Sequence, residues 1–370
     1  FVGCYNYNNI IPSIPHVNYK LNDNDVNQKL SPKSIIFIIA DGTGIGQYSL
    51  SYYANGPFAP SRFEHIGLVA THPNDGKCSS TCKRVTDSAA SGTALSSGLK
   101  TYNGAIGVNQ DTIAVKTMLE LAEEKNMATG LVATSTITHA TPASFAAHVD
   151  YRKKEREIAM QYARQEIDVI LGGGKRFWSD SLIAEYEKGG AQFINTINTP
   201  LEENKRILGL FADDALARAN EGRTPTTTEM AKLAINKLEN NPNGFFIMIE
   251  ESQVDWGGHE NNGEYLISEL IDFDTTLGTV LDFAEKDGET LVIVTADHET
   301  GGFTLSSKEE DYNTLEATFS THGHSATMVP VFAFGPGSEN FGGIYENTEI
   351  FHKMVQLLSE EKKEIKQTNQ

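Results

Sequence analysis

The sequence predicts an α/β fold: a central, mostly parallel sheet with helices on both faces. Three observations predict it. Apolar runs of strand length recur from residue 34 onward. Segments of helical period separate them. The runs are continuously apolar, which suits strands covered on both faces better than half-exposed ones.

The elements follow in chain order. Residues 1–33 are expected to form a flexible N-terminal arm, because residues 5–33 are rich in Asn and Pro and lack periodicity. Strands are expected at 34–40 (SIIFIIA), 66–71 (IGLVAT), 129–134 (TGLVAT) and 167–171 (IDVIL). Others are expected at 207–211 (ILGLF), 245–249 (FFIMI), 290–296 (TLVIVTA) and 329–334 (VPVFAF). Between them, 111–126 places Ile113, Val115, Met118, Leu119 and Ala122 on one helical face. The stretch 264–288 does the same and ends at Gly288, a natural helix stop. A last helix is expected in 346–363, with Asn347 as its cap before Ile350, Phe351, Met354 and Leu358. No repeat or linker interrupts 34–370, so one catalytic domain is expected there.

The chain has 370 residues, 30 basic and 49 acidic, for a net charge of −19. Such a chain has no overall attraction for nucleic acid or anionic lipid. An anionic substrate would need local positive charge, for which metal ions are the obvious source. No stretch is apolar for the roughly 18 residues a membrane helix needs. Cys78 and Cys82 lie four apart and read either as a small-loop disulfide or as two free thiols. Cys4 follows a small residue in "FVGC", which reads as the end of a lipid-anchoring signal or as a truncated signal remnant, with export the favoured reading.

In open α/β sheets ligands bind beyond the carboxyl ends of the strands. The first strand ends at Asp41. The 245–249 strand runs into Glu250, Asp255 and His259. The 290–296 strand ends at Asp297 and His298, and the 129–134 strand runs into His139 and Thr141. His322 and His324 precede the last strand. One acid at a strand end is explained as well by capping as by chemistry. Several such ends that converge would repel one another unless divalent cations lie between them. Asp paired with His suits zinc, whereas Glu250 and Thr141 offer oxygen and suit magnesium. Gly42, Gly44 and Gly46 lack the sixth-position glycine of a dinucleotide fingerprint, and no acid ends a second strand about twenty residues later. The glycines are expected to let the backbone approach a metal-bound ligand.

"RVTDSAASGTALSSGLKTYNGAIG" (84–107) is dense in small residues. It reads as a tightly packed helix N-terminus capped by Asp87 or Ser88, a place that suits phosphate. A serine beside zinc there can lose its proton and attack phosphorus. Ser97-x-x-Lys100 matches one β-lactamase motif, but the companion S-D-N and K-T-G motifs are absent from the sequence.

"VTDSAASGTALSSGLKTYNGAIGV" closely resembles the nucleophile segment of alkaline phosphatases. The resemblance extends in order through "ADGTG", "HATPASFAAHVDYRK", "IEESQVDWGGH", "VTADHETGG" and "HSATMVPVFAFG", covering about Ser34 to Gly335. It implies an alkaline-phosphatase-like fold with reduced peripheral insertions, and hydrolysis of phosphate monoesters through a phosphoserine. It implies two zinc ions and one magnesium, the third site open to another divalent metal. By the resemblance, Ser88 is the nucleophile and shares the second zinc with Asp41, Asp297 and His298. Asp255, His259 and His324 hold the first zinc, and Asp41, Thr141 and Glu250 hold the magnesium. Arg152 grips phosphate. His139 stands where family members carry Asp or His, and reads as a substrate or third-metal neighbour acting through water. Trp256 reads as a residue of the substrate mouth or as a packed tryptophan. His324 is preferred over His322 by its distance to "FAFG". The family also implies a homodimer that works in the periplasm or outside the cell. Phosphodiesterases, sulfatases and phosphomutases use the same metal framework, and a non-catalytic phosphate- or zinc-binding relative is the remaining alternative. The D-S-A-A-S stretch favours the monoesterase.

Overall fold

The computed structural model describes residues 31–55, 58–74 and 83–359. Cys4, Cys78, Cys82 and nearly all of the expected arm lie outside the described residues.

The strands are β1 (Ser34–Ala40), β2 (His65–Ala70), β3 (Ala128–Thr136), β4 (Val169–Gly173), β5 (Ala191–Ile194), β6 (Arg206–Leu210), β7 (Phe245–Glu251), β8 (Thr290–Thr295), β9 (Glu299–Thr300), β10 (Thr304–Lys308), β11 (Asp311–Thr318), β12 (His324–Ser325), β13 (Val329–Phe334) and β14 (Gly343–Glu346). The helices are α1 (Ile45–Asn55), α2 (Ser88–Ser97), α3 (Met118–Glu124), α4 (Ala140–Ala146), α5 (Glu155–Tyr162), α6 (Asp180–Lys188), α7 (Thr227–Leu238), α8 (Gln253–His259), α9 (Gly263–Asp287) and α10 (Thr348–Ser359).

One ten-stranded sheet runs in the order β14-β2-β13-β8-β1-β7-β3-β4-β6-β5. Its pairings are parallel except where β13 lies antiparallel between β2 and β8. Each of the eight apolar runs read from the sequence forms a strand of this sheet. β1 shows why. Its Ile35, Phe37 and Ile39 pack into one apolar cluster with residues of α2–α6 and α10, and its Ile36, Ile38 and Ala40 pack into another with α1, α7 and α9. A strand with both faces covered has no position for a polar residue, so alternation disappears. Among the described residues no helix is long and apolar enough to cross a membrane.

Two expectations need correction. The helix read at 111–126 is confined to α3, Met118–Glu124. Asn109 Oδ1 accepts from the backbone of Asp111 at 2.9 Å and of Ile113 at 3.0 Å, closing a turn that leaves Ile113 61% exposed. Thr117 then starts α3 with a reciprocal capping box to Glu120. Asn347 does precede α10, but its Oδ1 makes no hydrogen bond and its Nδ2 donates to Ser91 Oγ at 3.0 Å, tying α10 to α2 rather than capping α10. α9 ends as expected, with Gly288 at φ 71°.

Candidate metal centre and active site

β1, β7 and β8 are neighbours and parallel, so their carboxyl ends share one rim. That rim receives Asp41 after β1, Glu250 at the end of β7, Asp255 and His259 on the following α8, and Asp297 and His298 after β8. β13 runs the other way, so the segment that enters it, with His324, begins at the same rim. α2 and α4 bring Ser88 and Thr141. Their close approach depends on Gly92, where an added Cβ would lie 2.9 Å from Ser144 Oγ.

Asp255, His259 and His324 form a first set, with donor atoms within 4.8 Å of one another. His259 Nε2 lies 3.1 Å from His324 Nε2 and 3.4 Å from Asp255 Oδ2. Backbone carbonyls decide the tautomers. His259 Nδ1 lies 2.5 Å from the His322 oxygen, and His324 Nδ1 lies 2.8 Å from the Thr86 oxygen. Both Nδ1 atoms therefore carry a proton, and both Nε2 atoms are turned towards each other and a carboxylate. Burial, with the charge of His298, lowers the pKa of His324 and keeps it neutral. Such a group of acceptors repels itself unless a cation sits among them.

Asp41, Asp297 and His298 form a second set, all fully buried. His298 Nε2 lies 3.1 Å from Asp297 Oδ2, 3.6 Å from Asp41 Oδ1 and 3.3 Å from Ser88 Oγ. Both carboxylate oxygens of Asp41, and Asp297 Oδ2, lack any hydrogen bond. Burial pushes Asp41 well above the carboxylate range, and the charges of Asp297, Asp255 and Glu250 push it further. Burial would raise Asp297 as well, but the adjacent His298 holds it below the usual range.

Glu250 Oε2 accepts from Ser252 Oγ at 2.6 Å and Ser135 Oγ at 3.1 Å. Its Oε1 is buried without a partner, as is Thr141 Oγ1. Burial raises Glu250 to about 7. Orphaned oxygens beside bare imidazole nitrogens are costly in a protein interior. They fit divalent cations: nitrogen and oxygen donors suit zinc in the first two sets, and oxygen donors alone suit magnesium at Asp41, Thr141 and Glu250.

Ser88 opens α2, capped by Asp87. Asp87 Oδ1 accepts from Ala90 N at 3.0 Å and Gly104 N at 3.1 Å, and its Oδ2 accepts from Arg152 Nη1 at 3.1 Å. Asp87 thus fixes the arginine against the helix that carries the serine. Arg152 Nη2 donates to His139 Nε2 at 3.3 Å. The His139 ring stands edge-on to Trp256, with centroids 6.2 Å apart. Burial, then the Arg152 charge, lowers His139 to about 4, so it is neutral near pH 7. The rim thus gathers Ser88, Arg152, His139, Trp256 and the residues read as metal ligands. His322 meets His259 through its backbone instead, and its Nδ1 lies 3.0 Å from the His259 oxygen.

Sequence reading missed three partners. It weighed Asp87 only as a cap, not as the residue holding Arg152, and it passed over Ser135 and Ser252 beside Glu250. A cap acid two residues before a small-residue helix interior was the one available signal for Asp87. Among the glycines after Asp41, Gly42 permits a close backbone approach. A Cβ on Gly42, at φ +74°, would lie 2.6 Å from Asp255 Cα. That approach sets the backbone after Asp41 against α8, which carries Asp255 and His259.

A family model for alkaline phosphatase matches residues 32–317 and 306–359. Alkaline phosphatase 3 of Bacillus subtilis (strain 168) is 35% identical over 416 residues, spanning 88% of this chain and 89% of that protein. The structure of alkaline phosphatase from the Antarctic bacterium TAB5 is similar with a TM-score of 0.83 at 45% identity, covering 89% of this chain and 98% of that one. A histidine-to-glutamate variant of the Antarctic protein, with magnesium bound in its M3 site, matches with a TM-score of 0.83 at 45% identity, covering 90% and 99%. This chain belongs to the alkaline phosphatase family.

Proposed function

We propose that the chain hydrolyses phosphate monoesters through a phosphoserine at Ser88, and that Asp255, His259 and His324 hold one zinc. A second zinc falls to Asp41, Asp297, His298 and Ser88, and a magnesium to Asp41, Thr141 and Glu250. The observation that carries this is the contact of Ser88 Oγ with His298 Nε2, 3.3 Å away, among orphaned carboxylate oxygens. When bound, the cations would offset the carboxylate repulsion, favour ionised serine and water, and neutralise charge on the transferring phosphoryl group.

The protein's own groups supply the rest. Arg152, steadied by Asp87, offers its remaining N–H groups to two phosphate oxygens. The first turn of α2 adds positive potential at Ser88. Ser88 Oγ forms a bond to phosphorus as the ester P–O bond breaks in line, and the alcohol leaves with a proton from water. Water then attacks the phosphoserine, the Ser88 O–P bond breaks, phosphate departs, and Ser88 recovers its proton. Neutral His139 holds Arg152 Nη2 and packs on Trp256, which bounds the mouth of the site.

Turnover of a p-nitrophenyl monoester, diester and sulfate, each with and without chelator, tests this reading. Monoester turnover should dominate and vanish on chelation. Dominant diester or sulfate turnover, or activity indifferent to chelator, would contradict it. The same reading extends to a homodimer working in the periplasm or outside the cell, which sedimentation and cell fractionation test.

A further inference from the structure

Thr300 lies between the two histidine-bearing sets. It is fully buried on β9, opposite His324 on β12. Its Oγ1 lies 2.5 Å from Asp255 Oδ1 and 3.2 Å from His298 Nδ1. A hydroxyl has one proton to donate, and an ionised carboxylate can only accept. The proton therefore goes to Asp255, and the lone pair of Oγ1 must accept from His298 Nδ1–H. The result is a directed chain from His298 through Thr300 to Asp255. At one end it fixes the proton on Nδ1 of His298, so that Nε2 is the nitrogen turned towards Asp41, Asp297 and Ser88. At the other it holds Asp255 Oδ1 while Oδ2 faces His259, 3.4 Å away. The backbone holds Thr300 itself: its N–H donates to the Gly42 oxygen at 3.0 Å, and its oxygen accepts from Gln47 Nε2 at 2.9 Å.

We propose that Thr300 is a positioning residue that orients ligands of both metal sets through one hydroxyl. Removing that hydroxyl releases the His298 tautomer and one Asp255 oxygen together, so both sets weaken. The proposal rests on reading the two sets as metal sites.

The test is zinc titration of metal-free protein against a chromogenic chelator, for wild type, Thr300→Val and Thr300→Ser. Thr300→Val, of nearly the same shape, should weaken both zinc equivalents by about 10–100-fold. Thr300→Ser should restore them. Wild-type affinity in Thr300→Val, a loss confined to one equivalent, or an equal loss in Thr300→Ser would overturn the proposal. The ¹⁵N shifts of the His298 ring in zinc-loaded wild type test it without any variant: a protonated Nδ1 is expected, and an unprotonated Nδ1 would overturn it. Wild-type protein that takes up no zinc would instead sink the metal-site reading, a result distinct from uptake that Thr300→Val leaves unchanged.

Discussion

Arg152 gives one N–H to Asp87 at 3.1 Å and another to His139 at 3.3 Å, so it is oriented before any ligand arrives. A guanidinium held in this way loses little side-chain entropy on gripping an anion. Charge-assisted hydrogen bonds contribute about 1.5–3 kcal/mol. Arg152→Ala should therefore raise the inhibition constant for inorganic phosphate by roughly 10–100-fold, with metal content unchanged. Phosphate inhibition equal to wild type would contradict the role. His139 makes a sharper case. It is neutral, and its Nδ1 is buried without a hydrogen bond. A variant of the Antarctic relative with glutamate in place of a histidine has magnesium bound in its M3 site. A hard anionic oxygen favours magnesium over a nitrogen donor. His139→Asp should raise magnesium per chain towards one equivalent, measured by elemental analysis after dialysis against mixed metals. Unchanged magnesium content would place His139 too far from the third site to influence it.

α3 shows how far local pattern carries. Its apolar residues Met118, Leu119 and Ala122 are buried as their spacing requires, yet the helix starts at a capping box rather than where the apolar period begins. The turn closed by Asn109 competes successfully with helix for residues 111–117. β5 and β14 were missed for a different reason: each has four residues and lies at an edge of the sheet, too short for any period to show. The eight longer runs were legible because a strand covered on both faces is apolar throughout. α3 also carries a prediction. Glu123 has a buried oxygen without a partner, and burial, with the charges of Glu120, Asp168 and Glu166, raises it to about 7. Below its ordinary value of 4.5 it is protonated folded and unfolded alike, and costs nothing. As pH rises from 4.5 to about 7 the unfolded chain releases the proton first, so stability falls, and above 7 the penalty is complete. Glu123→Gln should stabilise the protein at pH 8 by on the order of 1 kcal/mol, a figure reduced for solvent screening. The gain should disappear near pH 4.5, and equal gains at both pH values in thermal melts would contradict the assignment.

At the scale of the molecule, the sheet order does the assembling. Placing β1 between β7 and β8 gathers Asp41, Glu250, Asp297 and His298, and the reversed β13 adds His324 from a segment that precedes its strand. The acids and histidines were legible because each lies just beyond a readable strand, on the helix that follows one, or, for His324, just before one. Arg152 was not, because a charged residue in "DYRKK" looks like any solvated loop, and only the family resemblance singled it out. Thr300 was not, because a lone threonine after "DHE" has no spacing that marks it. Gathering so many unpartnered acceptors makes the metal-free rim electrostatically costly. Cations bound about 1,000-fold tighter than their free concentration contribute about 4 kcal/mol per site. Stripping them should lower the melting temperature by about 5 °C or more, and zinc with magnesium should restore it. An unchanged melt in chelator would mean the rim does not hold metal. The central claim is that this rim arms Ser88 against phosphorus. Acid-quenching metal-loaded protein with a phosphate monoester and mapping phosphopeptides by mass spectrometry tests it most directly. The phosphoryl group should sit on Ser88, and should be absent from chelator-treated protein and from Ser88→Ala; an active enzyme carrying it on another residue, or on none, would contradict the account.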